Sequence, residues 1–305
     1  MASLRDIRTR ISSVKNTQQV TRAMKMVSAA KLRRAQERIF KTRPYAFKIG
    51  EIISHLKGQI DPTAHPLFDV RDETKAVVLV VVTADRGLAG AFNSNVIKLA
   101  EQTIEEYAAY RDSGDLYLIC VGRRGHDHFS KRGYNLVGNF SGAFEKLGFS
   151  TAHRVVDEVV EGYLAGKWDE AKVIYNEFKN TISQNRIVEP FLPIPAEHFL
   201  TPVMEHDEQS RVDVSPDRNI DYIFEPDPKS ILDELVPRYL NYQLWRVLLE
   251  SNASEQGARM VAMDNATSNA GELIRDLQLK YNRARQDAIT KELIEITSGA
   301  DALEG

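Results

Sequence analysis

Apolar residues recur in the first segment at Leu4, Ile7, Ile11 and Val14, spacings of three, four and three. That is a heptad seam, the mark of a helix that pairs with another helix. The seam is expected to drift through Val20, Met24 and Val27. Ala-, Lys- and Arg-rich sequence without glycine carries the helix on to Arg43. Pro44 predicts a kink or local break, after which "YAFKIGEIISHLKG" resumes the pattern to about Leu56. "DPTAHP" at Asp61–Pro66 ends it. At 1.5 Å per residue such a helix would reach about 80 Å, longer than any compact domain needs.

The middle of the chain has another rhythm. Apolar, β-branched runs fall at Ala76–Thr83, Leu116–Val121, Leu136–Phe140, Lys172–Tyr175 and Ile187–Ile194. Helical patterns such as "NSNVIKLAEQTIEEYAAY" and "TAHRVVDEVVEGYLAG" separate the earlier ones. Alternation of strand and helix predicts a mainly parallel, helix-flanked sheet. The last two runs lie close together, so one edge should be an antiparallel hairpin. Phe199–Asp221 is polar and acidic, a loop by composition.

A third segment opens with "EPDPKSILDEL" at Glu225–Leu235, where Asp227-Pro228 suits a helix start. The helical pattern then continues almost to the end, with a bend expected at Pro237. Ile274, Leu277, Tyr281, Ala284 and Ala288 form a second heptad seam. Each seam is too narrow to be a globular core face. The economical fold is therefore α/β plus a long antiparallel coiled coil. The N- and C-terminal helices pair, and a central α/β domain of Rossmann-like layout lies between them in sequence. The expected division is 1–60 for the first helix, 61–224 for the globular domain and 225–305 for the last helix.

Composition narrows the classes of function. The charged fraction of 27% and apolar fraction of 43% are ordinary for a soluble protein. The longest apolar run, Ala76–Val82, is far short of the ~20 residues that cross a bilayer, and the N-terminus has no signal-type stretch. The single cysteine, Cys120, lies inside "LYLICVG" and reads as a small buried side chain; a count of one excludes disulfides within the chain and cysteine-cluster metal sites. Charge is unevenly spread. Residues 1–48 hold thirteen Lys/Arg against two acids, Asp6 and Glu37, although the whole chain is at −3. A helix so uniformly positive wants negative partners. Nucleic acid is disfavoured, because no binding module accompanies the basic helix and the rest of the chain is acidic.

"TADRGLAGAFNSN", Thr83–Asn95, follows the first strand and has the strand–loop–helix order of phosphate-binding sites. It lacks both the G-x-G-x-x-G spacing and G-K-[ST], and Asp85 would repel a phosphate. "GHDHF" places His126 and His128 two apart, which reads as a surface helix rather than a metal site. No nucleophile–base pair with supporting groups is recognisable. The expectation is no catalytic residue, no cofactor and no metal.

The long C-terminal run "ASEQGARMVAMDNATSNAGELIRDLQLKYNRARQDAITKELIEITSGADAL" closely resembles the C-terminal helix of the γ subunit of F-type ATP synthase, with the family's signature region at "ITKELIEITSGA". "IRTRISSVKNTQQVTRAMKMVSAAKLRRAQ" resembles the first helix of that family, and "TADRGLAGAFN" its loop after the first strand. The resemblance implies a central-stalk rotor subunit, not an enzyme by itself. It would couple proton or sodium flow through the c-subunit ring to ATP synthesis or hydrolysis at the β subunits. The implied partners are the α and β subunits, the ε subunit and the c ring, with one copy per complex. The implied place is the cytoplasmic face of a bacterial inner membrane, with the membrane met only through the c ring. By matched position, the residues implied in β-subunit contact and coupling are Met24, Arg86, Arg259, Arg285, Gln286, Thr290 and Glu295. A foot on the c ring would lie near Phe199–Asp221. Ala89 stands where the family often has cysteine, and the plant form's regulatory insertion is absent. The competing readings are a nucleotide-binding enzyme or regulator using the α/β domain, and a coiled-coil adaptor with no motor role.

Overall fold

The computed structural model describes residues 4–59, 65–71, 73–195, 201–206 and 227–304. They form two compact units, one made of Met1–Ser28 with Met260–Gly305 and the other of Ala29–Arg259. Two helices contribute to both: α1 (Leu4–Gln59) and α7 (Pro228–Glu304).

The larger unit holds a five-stranded sheet in the order β3-β2-β1-β4-β5. Its strands are β1 (Val77–Val82), β2 (Leu116–Val121), β3 (Asn135–Phe140), β4 (Glu170–Phe178) and β5 (Gln184–Leu192). All neighbours pair in parallel except β4 and β5, the expected antiparallel edge. Helices α2 (Phe92–Glu106), α3 (Ala108–Ser113), α4 (Arg123–Ser130) and α5 (Phe149–Leu164) fill the connections, and α6 (Pro202–His206) follows the sheet.

β1 is apolar throughout because both of its faces are covered. Val77, Leu79 and Val81 join a core with Val96, Ala100 and Ile104 of α2. Val78, Val80 and Val82 join a second core with Val155 and Val159 of α5, Ile49 and Ile53 of α1, and Leu240 and Leu244 of α7. The two-residue period of a strand thus sorts one run of valines into two layers. At the start of the sheet, Arg71 bonds to Asp169 and to the Tyr163 carbonyl, while the other oxygen of Asp169 accepts the N–H groups of Lys75 and Ala76. This clamp ties the segment leading into β1 to the start of β4.

The smaller unit is an antiparallel helix pair. Arg8 donates to the Tyr281 hydroxyl (2.6 Å), the hydroxyls of Thr21 and Thr267 meet at 2.8 Å, and Lys25 pairs with Asp264 (2.6 Å). The seam on α1 keeps a strict heptad but changes chemistry. After Leu4, Ile7, Ile11 and Val14 it continues through Gln18, Thr21, Lys25 and Ser28, while Val20 and Val27 are exposed. The expected drift through Val20, Met24 and Val27 is therefore corrected: polar side chains that bond across the pair hold the register, and two of the apolar ones face outward. Gln18 reaches the Thr267 carbonyl at 3.2 Å beside Gly271, where a Cβ would lie 3.1 Å from its amide nitrogen.

Helix ends follow local chemistry. Asp227 caps α7 by accepting the Ser230 N–H at 3.0 Å and the Ser230 hydroxyl at 2.6 Å, with Pro228 in the first turn as expected. Neither Pro44 nor Pro237 interrupts its helix. The expected break at Pro44 does not occur; the missing N–H costs one hydrogen bond, which a long packed helix absorbs. Of the foot near Phe199–Asp221, only 201–206 are among the described residues. Among the described residues no helix is long and apolar enough to cross a membrane.

Candidate functional site

The loop between β1 and α2 occupies the edge of the sheet where α/β folds bind phosphates. Here its own side chains reach across to neighbouring elements. The Asp85 carboxylate accepts the N–H of Arg123, the first residue of α4, at 3.0 Å, and those of Gly142 and Phe144 at 2.7 and 2.9 Å. The Thr83 hydroxyl accepts the Gly125 N–H at 2.8 Å. Gly122 has φ 95° and lies so close to Thr83 that a Cβ would sit 2.0 Å from its carbonyl oxygen. A carboxylate of the chain therefore satisfies the α4 N-terminus and the turn after β3 internally.

The same loop is pinned along its length. Asn93 accepts the Ala84 N–H (2.9 Å) and donates to the Arg86 carbonyl (3.3 Å). Ala84, Ala89 and Phe92 pack together, with Ala258 of α7 against them. Arg259 donates to the Gly87 carbonyl at 2.7 Å and to Glu255, one turn back on α7, at 2.8 Å through Nε and again through Nη2. Burial pushes the Glu255 carboxyl up, against the opposing pull of Arg259 and Lys31. What the loop presents outward is Arg86, with its side chain 77% exposed and only a 3.9 Å approach to Glu145, and Leu88, 70% exposed with φ 64°. A left-handed leucine persists only where its surroundings over-determine it.

The other implied contact residues lie in the smaller unit. Met24 is half-buried. Arg285, Gln286, Thr290 and Glu295 are all exposed, and Glu295 makes only a solvent-exposed approach to Lys291. The seam contacts of α7 with α1 end near Tyr281 and Ala284, and every residue from 285 to 298 is exposed. That stretch includes Ile289, Leu293, Ile294 and Ile296, which face more than one side of the helix.

The seven residues divide between the two units. Arg86 and Arg259 meet around one loop in the larger unit; the other five belong to the smaller unit. Sequence reasoning took Asp85 only as a repulsive charge and missed it as an internal anion. It also missed Glu255, although the Glu255/Arg259 spacing of four is the ordinary sign of a helix ion pair. Among the histidines of "GHDHF", His128 bonds to Glu101 at 2.8 Å across to α2, a surface helix contact.

Comparison with known proteins accounts for this combination. The profile of the ATP synthase family matches residues 3–303. The ATP synthase gamma chain of Salinibacter ruber is 63% identical over 305 residues, covering 100% of this chain and 99% of that one. The ATP synthase gamma chain of Chloroherpeton thalassium is 53% identical over 309 residues, with coverage of 100% and 99%. Among solved structures, a chain of the Euglena gracilis mitochondrial ATP synthase (OSCP/F1/c-ring, rotational state 3) superposes with a TM-score of 0.63 at 20% identity, covering 98% of this chain and 94% of that one. A chain from the central stalk and c ring of the Tetrahymena thermophila mitochondrial ATP synthase gives 0.55 at 25% identity, with coverage of 81% and 99%. A match that runs from one end to the other, at identities of one half and more, leaves a single assignment: the chain belongs to the gamma-chain family of ATP synthase subunits.

Proposed function

We propose that the chain is the central-stalk rotor of an F-type ATP synthase and couples proton or sodium flow through a c-subunit ring to ATP synthesis or hydrolysis at β subunits. It does no bond-making itself. One copy turns within a ring of α and β subunits, with ε and the c ring as its other partners. The complex is peripheral, on the cytoplasmic face of a bacterial inner membrane. Residues 1–60 and 225–305 act as the shaft and 61–224 as the globular domain. The observation that carries this reading is the uncovered end of α7. Residues 285–298 are exposed on all sides, with apolar side chains among them. A helix apolar on several sides is stable only when enclosed, and no described segment of this chain encloses it.

The contact residues then divide by role. Met24, Arg86, Arg285, Gln286, Thr290 and Glu295 touch β subunits directly, in contacts made in one rotational state and broken in the next. Each such contact biases the rotary equilibrium by its differential free energy between states. Arg259 acts at one remove, because its guanidinium is held by Glu255 and Gly87. It positions the loop that carries Arg86. The nucleotide-binding alternative is disfavoured by Asp85, a carboxylate in the β1–α2 loop whose negative charge would repel a phosphate there.

Reconstitution with α and β subunits tests the reading. The isolated chain is expected to show no ATPase activity, and the assembled complex to show it. Micromolar ATP binding by the isolated chain would contradict the proposal.

A further inference from the structure

Along most of its path through the larger unit, α7 packs by apolar contact. Leu232, Val236, Leu240, Leu244, Val247 and Leu248 all lie in the core shared with the sheet. Apolar packing is non-directional, so by itself it resists rolling or sliding of the helix only through shape. A polar cluster interrupts it in the middle, distinct from the Glu255–Arg259 contact with Gly87 nearer the end of the unit. Arg246 (4% exposed) pairs with Glu189 (1% exposed) through Nη2 and donates to the Tyr175 hydroxyl at 3.0 Å through Nη1. The other oxygen of Glu189 accepts the Tyr175 O–H at 2.7 Å, and Gln243 donates to Glu189 at 2.8 Å. Two α7 side chains three residues apart, on one face of the helix, thus grip one side chain on β5 and one on β4. One turn further along, Glu250 accepts the N–H of Phe178, the last residue of β4, at 3.1 Å.

The cluster is a poor choice for stability alone. Removing both charges from water is costly, and apolar residues of similar volume often do as well or better. The Gln243 amide oxygen is also buried without a hydrogen-bond partner among the described residues. What such a cluster does supply is a unique geometry. Hydrogen bonds in a dry site are directional, and displacing the helix by one residue would strand a buried guanidinium and a buried carboxylate.

We propose that Arg246, Glu189, Tyr175 and Gln243 form a torsional pin that fixes the rotational register of α7 on the β4–β5 hairpin. The same helix supplies residues 260–304 to the smaller unit, so a twist applied there is carried along α7, past the Arg259 bond to the Gly87 carbonyl, to the pin. Burial works against the charge on Arg246, but Glu189 and the bonds to Glu189 and Tyr175 outweigh it and hold the guanidinium well above its ordinary value; burial keeps Tyr175 a phenol. These are positioning residues, buried and bonded to one another between α7 and the hairpin. The inference rests on the rotor reading.

The test uses the complete ATP synthase in sealed vesicles and measures ATP hydrolysis together with ions pumped per ATP, with and without an opposing gradient. The variant is the apolar pair Glu189→Leu with Arg246→Met. Expected is a complex that assembles and hydrolyses ATP at close to the unmodified rate, yet pumps severalfold fewer ions per ATP against the gradient. Full pumping under load would overturn the pin. If the pair does not fold, Arg246→Lys decides, because it keeps the charge but loses the second arm to Tyr175. A pumping ratio between those of wild type and an uncoupled enzyme supports the pin, and a ratio unchanged under load overturns it. The wild-type complex is the internal control: if it hydrolyses ATP without pumping, the rotor reading fails, whatever the variants do.

Discussion

Asp85→Ala is the most informative single change to the fold. The carboxylate is buried and takes three backbone N–H groups, from Arg123, Gly142 and Phe144. Hydrogen bonds to a charged group contribute about 1.5–3 kcal/mol each, and each orphaned N–H costs about 1–3 kcal/mol. The three share one acceptor group and do not add fully, so the expected loss is about 3–6 kcal/mol. That is a large part of the roughly 5–15 kcal/mol that holds a typical domain together. Urea unfolding of the purified chain, followed by tryptophan fluorescence and circular dichroism, measures it. A second arm isolates the mechanism. The substitution vacates an anion site, so added formate is expected to recover part of the loss while chloride at equal ionic strength recovers less. A loss below about 1 kcal/mol, or equal effects of formate and chloride, would refute the role of Asp85 as an internal anion.

Three other outcomes follow from the same structure. Burial alone would raise the Asp169 carboxyl, but Arg71 and the N–H groups of Lys75 and Ala76 outweigh it and hold it below its ordinary value of 3.8. Its folded pKa is thus below its unfolded one. Its stabilisation is complete above the unfolded value and is lost as pH falls through the folded one, so Asp169→Asn should lower stability at pH 7 and flatten its decline in acid; a parallel decline would contradict this. Gly162→Ala should destabilise by about 1–3 kcal/mol, because its methyl would sit 1.9 Å from Cζ2 of Trp168; the ordinary gain from replacing a helix glycine, seen in thermal melts, would be the contrary result. The Cys120 thiol is fully buried and pushed up to about 12, so a thiol reagent should find none reactive in the native chain and one after denaturation.

The strand–helix alternation and the two heptad seams made the architecture legible, because burial repeats with the period of the element that creates it. The middle of the first seam was not legible. Gln18, Thr21, Lys25 and Ser28 sit at seam positions, and a hydrophobic pattern cannot register a seam built from cross-helix hydrogen bonds. Val20 and Val27 drew the expected path aside for the same reason: apolarity was taken as burial, whereas their exposed face is consistent with a partner surface. The residues of α7 implied in β-subunit contact came from matched positions in a family, and periodicity had nothing to say about them. Asp85, Glu255, Glu189 and Arg246 were hidden because a buried charge is recognisable only with its partner. In three of the four cases that partner is on another element. Even the short-range pair of Glu255 and Arg259 takes its meaning from Gly87, far away in sequence.

The central claim is that this chain turns inside its partners while they hydrolyse ATP. Its lone cysteine is buried, so Asp157→Cys, at a half-buried position on α5, provides this chain's single reactive thiol for a bead or gold rod, in a complex whose α and β subunits lack reactive thiols and are held to a surface. Addition of ATP should drive stepwise rotation in one direction, at a rate that follows hydrolysis. Hydrolysis by the labelled complex with the probe stationary or merely diffusing would contradict the account.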